Sequence, residues 1–81
     1  MNIRQAIETH WVGPTNHRGS RIIATTERRD PLTHAWDYAL TSDENHHAAA
    51  DALRAKLDWP AIVAGGSTRK GYAFVTSTLE T

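Results

Sequence analysis

Thr41-Ser42-Asp43-Glu44-Asn45-His46-His47-Ala48-Ala49-Ala50-Asp51-Ala52-Leu53-Arg54-Ala55-Lys56-Leu57, followed by Asp58-Trp59-Pro60, is the stretch whose reading decides the fold. Thr41 to Glu44 has the spacing of a capping box, in which Thr41 caps the first turn and Glu44 reaches back to the Thr41 N–H. Alanine-rich helix formers follow at once. Ala49, Ala50, Leu53 and Leu57 recur at the three-and-four spacing of a buried stripe, with Asp51, Arg54 and Lys56 outside it. Pro60 cannot continue a helix and biases Trp59 towards an extended conformation. The segment therefore reads as one helix with a defined start and stop.

Both flanks alternate with period two. Ile3, Gln5, Ile7, Thr9 and Trp11 fall on one face of a strand and Arg4, Ala6, Glu8, His10 and Val12 on the other, until Gly13-Pro14 ends it. Ser20 to Glu27 resumes the alternation, and Arg28-Arg29-Asp30-Pro31 supplies a turn at the opposite end that blunts a sheet edge. Leu32 to Tyr38 reads as strand three, with Leu32, His34, Trp36 and Tyr38 on one face. Beyond the helix, Ala61 to Ala64 reads as strand four, Gly65 to Gly71 as a hairpin loop and Tyr72 to Thr76 as strand five. The order βββαββ predicts one α+β domain spanning residues 1–81: a five-stranded antiparallel sheet with the helix packed on one face. Trp11, Trp36, Tyr72 and Phe74 are expected in its core, Trp36 and Tyr38 as core before contact, and the second sheet face is left to solvent or a partner.

At 81 residues the core is near the size that needs help from self-association, so a homodimer stays open. The absence of cysteine excludes disulfides and thiolate metal sites. The first dozen residues lack the apolar run of a signal peptide, and no segment approaches the roughly 18 apolar residues of a membrane span. A cytoplasmic protein with no membrane partner is the expectation. Nine basic side chains balance nine acidic ones, which argues against a strongly basic nucleic-acid binder and against an acidic DNA mimic.

The polar loop Gly13-Pro14-Thr15-Asn16-His17-Arg18-Gly19-Ser20-Arg21 lies where small scaffolds place recognition chemistry. If the elements run up and down in order, this loop, the helix start at Thr41 and the 65–71 loop share one end. Arg18, Arg21, Arg69 and Lys70 would then cluster by a helix N-terminus, an arrangement able to hold an anion, unless Asp43 and Glu44 simply pair with them. His46 and His47 are adjacent on the helix and point apart, whereas two ligands on one face need three- or four-residue spacing, so neither metal nor other cofactor is expected. Ser20, Ser42, Ser67 and Ser77 have no nucleophile context, and no catalytic residue is assigned.

The strings Thr15-Asn16-His17-Arg18-Gly19-Ser20-Arg21, Trp36-Asp37-Tyr38-Ala39-Leu40, Asn45-His46-His47-Ala48-Ala49-Ala50 and Gly71-Tyr72-Ala73-Phe74-Val75 carry a resemblance that spans nearly the whole chain. It resembles a family of small proteins of bacteriophages, prophages and other mobile elements, in which TN-x-RGSR, a DYAL-like strand end, N-H-x-A-A and G-Y-x-F-V recur. Some chains of similar build are anti-CRISPR proteins. The resemblance implies an inhibitor that docks on a host CRISPR effector, a type I surveillance complex, with Asn16, Arg18, Arg21, Trp36, Asp37 and Tyr38 as interface residues. Asp43, Glu44 and Asp51 could add local acidity. Among the same positions, Gly19 would serve a positive φ and Asn16 an Asx-turn. The alternative is an accessory nucleic-acid-binding protein that sets Arg18, Arg21, Arg69 and Lys70 on phosphates and stacks bases on an aromatic sheet face. An inert structural or assembly subunit is a third reading, and self-association is compatible with all three, since an uncovered sheet face such as that of Trp36 and Tyr38 could pair across a two-fold axis.

Overall fold

A computed structural model describes residues 6–28 and 31–77, in the order β1 (Ala6–Val12), β2 (Arg21–Thr25), β3 (Leu32–Ala35), α1 (Ser42–Lys56), β4 (Ile62–Ser67) and β5 (Tyr72–Thr76). The expected α+β architecture is present: one antiparallel sheet in the order β3-β2-β1-β5-β4, with the helix against one face. The readings of Ile3 to Gln5 as strand and of Arg29-Asp30 as turn lie outside the described residues.

The capping box forms as its spacing requires. The Glu44 N–H donates to Thr41 Oγ1 at 3.2 Å and the Thr41 N–H donates to Glu44 Oε1 at 2.9 Å, so donors at the helix start are satisfied reciprocally. Ala49, Ala50 and Leu53 are buried as the periodicity predicts, with Leu57 packed beside them, and the same stripe also takes in the polar Asn45 and His46. The helix stops before Pro60 acts. Asp58 adopts φ 58°, its N–H donates to the Ala55 carbonyl and the Trp59 N–H to the Arg54 carbonyl, which is a Schellman ending with aspartate where glycine is usual.

Strand alternation sorts the sheet's two faces. Ile7, Ile22, Ala24 and Phe74 point at the helix and, with Ala49, Ala50 and Leu53, form the core. The other face bears Glu8, His10, Arg21, Ile23, Thr33 and Val75, and none of the tryptophans or tyrosines. Trp11, Tyr72 and Phe74 thus lie on the helix side of the sheet and Trp36 and Tyr38 past the end of β3, so Trp36 and Tyr38 do not form a sheet face for two-fold pairing. Three further expectations are corrected. Strand three ends at Ala35, because Trp36 instead bonds the β1–β2 loop and Asp37 starts a turn. Strand four runs to Ser67, straight through Gly65-Gly66. The Phe74 ring lies over Gly65, where a Cβ would come within 2.5 Å of it, so this glycine makes room for a cross-strand ring instead of a turn. Trp11, near the end of β1, is 53% exposed, and Tyr38, 83% exposed, lies past the end of β3. Phe74 is buried, and Trp36 and Tyr72 pack against the core from its margin.

The helix backbone lies over β1, β2 and β3, and the helix meets β5 through side chains, Asp43 and His46 at Tyr72 and His47 at Phe74. Beyond it, β4 projects as a wing exposed from Val63 to Ser67.

Candidate functional site

The β1–β2 loop is built on Thr15. Its N–H donates to the Arg18 carbonyl at 2.7 Å, and its Oγ1 accepts from the N–H groups of His17 and Arg18 at 3.3 and 3.0 Å. A threonine turn thus does the work assigned to an Asx-turn at Asn16, which stands exposed at the tip. No glycine among the described residues has a positive φ, so Gly19 does not serve one either. The same device recurs at the β4–β5 hairpin: the Thr68 N–H donates to the Gly71 carbonyl at 2.7 Å while Thr68 Oγ1 accepts from Lys70 and Gly71. There a Cβ on Gly71 would overlap the Thr9 carbonyl, so glycine lets the hairpin close against β1.

Residues 36–41 join β3 to the helix, and a buried Asn45 clamps them. Its Oδ1 accepts the Asp37 N–H at 2.8 Å, and its Nδ2 donates to the carbonyls of Asp37, Leu40 and Thr41 at 2.9, 3.3 and 3.0 Å. The Asp37 carboxylate accepts the Ala39 N–H at 2.9 Å, so this interface candidate is engaged in shaping the turn. Trp36 is rooted at the core margin, and its N–H donates to the Ser20 carbonyl at 3.1 Å, which ties the two loops together. Nothing in the local pattern around Asn45 reveals the clamp; the only sequence signal is its place on the buried helix stripe.

These two loops form adjoining concavities at one end of the sheet. One, of about 530 Å³, is lined by Arg18, Arg21, Thr33, Trp36 and Tyr38 among others. The second, of about 470 Å³, is lined by Trp11, Ser20, Trp36, Tyr38 and Ser42. Both share Ser20, Trp36 and Tyr38, giving one strip from the arginines across three aromatic rings to the first turn of the helix, with no carboxylate in its lining. Arg21 Nη1 donates to the Gly19 carbonyl at 3.4 Å, and its Nε is buried with no partner among the described residues. Four of the six interface candidates are brought together here; Asn16 and Asp37 flank the strip without lining it.

Arg69 and Lys70 do not join them. They occupy the β4–β5 hairpin at the same end of the sheet but on the other side of β1, and the concavity of Arg18 and Arg21 includes neither. Nor do the acids at the helix start pair with the four cations. The Tyr72 hydroxyl donates to the Asp43 carboxylate, Glu44 closes the cap, and Asp51 binds Arg54 at 2.7 Å, the ion pair found among the described residues. Sharing that carboxylate holds the Tyr72 phenol above its ordinary range.

Among the described residues His46 is the titratable group that is buried. It shares a 2.7 Å hydrogen bond with the Thr9 hydroxyl through Nδ1 and packs on the Tyr72 ring at 4.3 Å; burial pushes its pKa below the ordinary 6.5 against the opposing pull of Asp43. His47 points away to meet the edge of Phe74 at 5.9 Å. Among the described residues no three His, Asp or Glu side chains are grouped to hold a metal, and no helix is long and apolar enough to cross a membrane. No family model, curated protein or solved structure matches the chain.

Proposed function

We propose that this protein acts by binding, as an inhibitor of the anti-CRISPR kind that docks on a host type I surveillance complex and blocks it sterically, without chemistry of its own. The observation that carries this reading is the Arg18–Arg21–Trp36–Tyr38–Trp11 strip. Tryptophan, tyrosine and arginine are the side chains that dominate binding hot spots, and here they stand together around open concavities. The strip is also preorganised. Trp36 is held by the core and by Ser20, and Asn45 fixes the chain that carries Tyr38, which lowers the ordering cost of association. The sequence resemblance supplies the class of partner. Asp43, Glu44 and Asp51 are engaged within the chain, so steric docking fits this surface better than acidic imitation of DNA.

The test is capture of nuclease-treated type I surveillance complex by wild-type protein and by a Tyr38→Ala/Arg18→Ala variant. The reading expects the complex to be retained by the first and lost by the second. No retention by wild type, or equal retention by both, overturns it.

One observation favours a second reading. Arg18 and Arg21 beside Trp36 and Tyr38, with no acid among them, suit a phosphate and a stacked base of single-stranded nucleic acid. That reading predicts binding that is removed by nuclease and falls steeply with salt.

A further inference from the structure

Arg18 and Arg21 line one concavity of about 530 Å³, and no carboxylate joins them in its lining. Among the described residues neither guanidinium has an acidic partner: the ion pair present is Asp51–Arg54, and Asp37, the acid that flanks the strip, turns its carboxylate to the Ala39 N–H. Arg21 shows an unmet need directly. Its Nη1 bond to the Gly19 carbonyl is long at 3.4 Å, and its Nε is buried with no partner among the described residues. A buried N–H without an acceptor is costly to leave unmade, and two positive charges on one concavity favour a counter-ion between them.

We infer that this end of the strip is a socket for one carboxylate of the protein partner, an aspartate or glutamate side chain seated between Arg18 and Arg21. The inference rests on the docking reading above and adds the chemistry of the residue that the partner presents. Seating the carboxylate turns the Arg21 guanidinium from the Gly19 carbonyl, so that its Nε–H and an Nη–H lie side by side against the two carboxylate oxygens. That planar fork is one arginine makes and lysine does not. Little is lost in the exchange, because the bond given up is the 3.4 Å one. Arg18, exposed on the loop that Thr15 builds, meets the anion from the other side. The placement of the remaining cations favours a single carboxylate over a phosphate chain. A nucleic-acid strand presents a row of phosphates and needs cations along its path, whereas Arg69 and Lys70 lie on the other side of β1 and outside this concavity. Nine basic and nine acidic side chains give the chain no net attraction for a polyanion.

The isolated chain tests the socket without the complex. The arginine Nε–H resonances are followed by NMR while sodium acetate, or inorganic phosphate, replaces sodium chloride at constant ionic strength and pH. Acetate is expected to shift the Arg21 Nε–H along a saturating curve, with phosphate binding no more tightly. In Arg18→Gln the acetate midpoint is expected to rise roughly tenfold, the loss of one charge-assisted contact. Arg21→Lys keeps the charge and loses the fork, and the Arg18 Nε–H is expected to report the same weakening. Circular dichroism checks that each variant is folded. A response that never saturates, an unchanged midpoint in both variants, or tighter binding of phosphate than of acetate overturns the inference. Capture of the surveillance complex decides the docking reading separately. Complex retained by a chain with no acetate site refutes the socket alone, and a saturable acetate site on a chain that captures no complex refutes the docking and leaves the carboxylate site standing.

Discussion

The sheet has two halves that live by different rules. Under the helix, β1 and β2 place Ile7, Ile22 and Ala24 against Ala49, Ala50 and Leu53, every one of these side chains fully buried, and β3 adds the partly buried Leu32. In the wing, β5 contributes Phe74 and Thr76 to the interior, but β4 from Val63 to Ser67 is exposed and held mainly by its ladder to β5. One short helix can cover about three strands at roughly 4.8 Å spacing, given its diameter of about 10 Å and its side chains' reach, so a five-stranded sheet with one helix must leave part of itself bare. The covered half supplies stability and, at its end, a fixed display of aromatic and arginine side chains. The bare wing supplies an unpaired backbone edge.

The largest expected contrast comes from truncation on either side of that division. Leu53→Ala should lower unfolding stability by about 3 kcal/mol in urea titrations, because it empties a fully buried site beneath the helix. Val63→Ala, on a wing residue that is 57% exposed, should change it by less than about 0.5 kcal/mol. Similar costs at both positions would show that the wing is packed as tightly as the covered half.

Asn45→Ala should cost about 2 kcal/mol, since it strips the Asp37 N–H and several carbonyls of their buried partner. Amide exchange across residues 36–41 should accelerate more than exchange in β4, which would separate a clamp from general destabilisation. Asp58→Gly works in the other direction. Glycine adopts the left-handed conformation at the helix end without steric penalty, and stability should rise by about 1 kcal/mol in thermal unfolding.

The smallest effect is a pH dependence seated in the covered half. His46 has its pKa depressed by burial, so above its ordinary 6.5 the folded and unfolded chains are both neutral there and the group contributes no slope. As pH falls below 6.5 the unfolded chain takes up a proton that the folded chain resists, and stability declines until the folded pKa is passed. Urea midpoints measured from pH 8 down to pH 5 should fall in that window, and the slope should shrink in a His46→Gln variant.

What the sequence discloses follows the range of the interactions involved. The capping box, the helix stripe and the alternation in β1, β2 and β5 are local, and they are legible because one face of each element is buried. Gly65-Gly66 misleads because glycine marks both turns and close ring packing, and only the pairing of β4 with β5 shows Phe74 above it. Asn45 is hidden for a related reason: its partners are backbone groups, which any residue provides. Trp11 and Tyr38 read as core by residue type, yet their exposure depends on where β1 and β3 stop and on the loops that follow. Arg18 and Arg21 meet Trp36 and Tyr38 because β2 pairs with β3 and the Trp36 N–H bonds Ser20, whereas Arg69 and Lys70 are carried to the other side of β1 when β5 inserts beside it.

The central claim is that the strip at the end of the covered half receives a protein partner while the wing edge does not take part. It is tested most directly by comparing the affinity of Trp11→Ala/Tyr38→Ala and Ala64→Lys for nuclease-treated type I surveillance complex. The account predicts at least a tenfold loss, about 1.4 kcal/mol, for the strip variant and wild-type affinity for the edge variant. Full binding by the strip variant, or a loss confined to the edge variant, would contradict it.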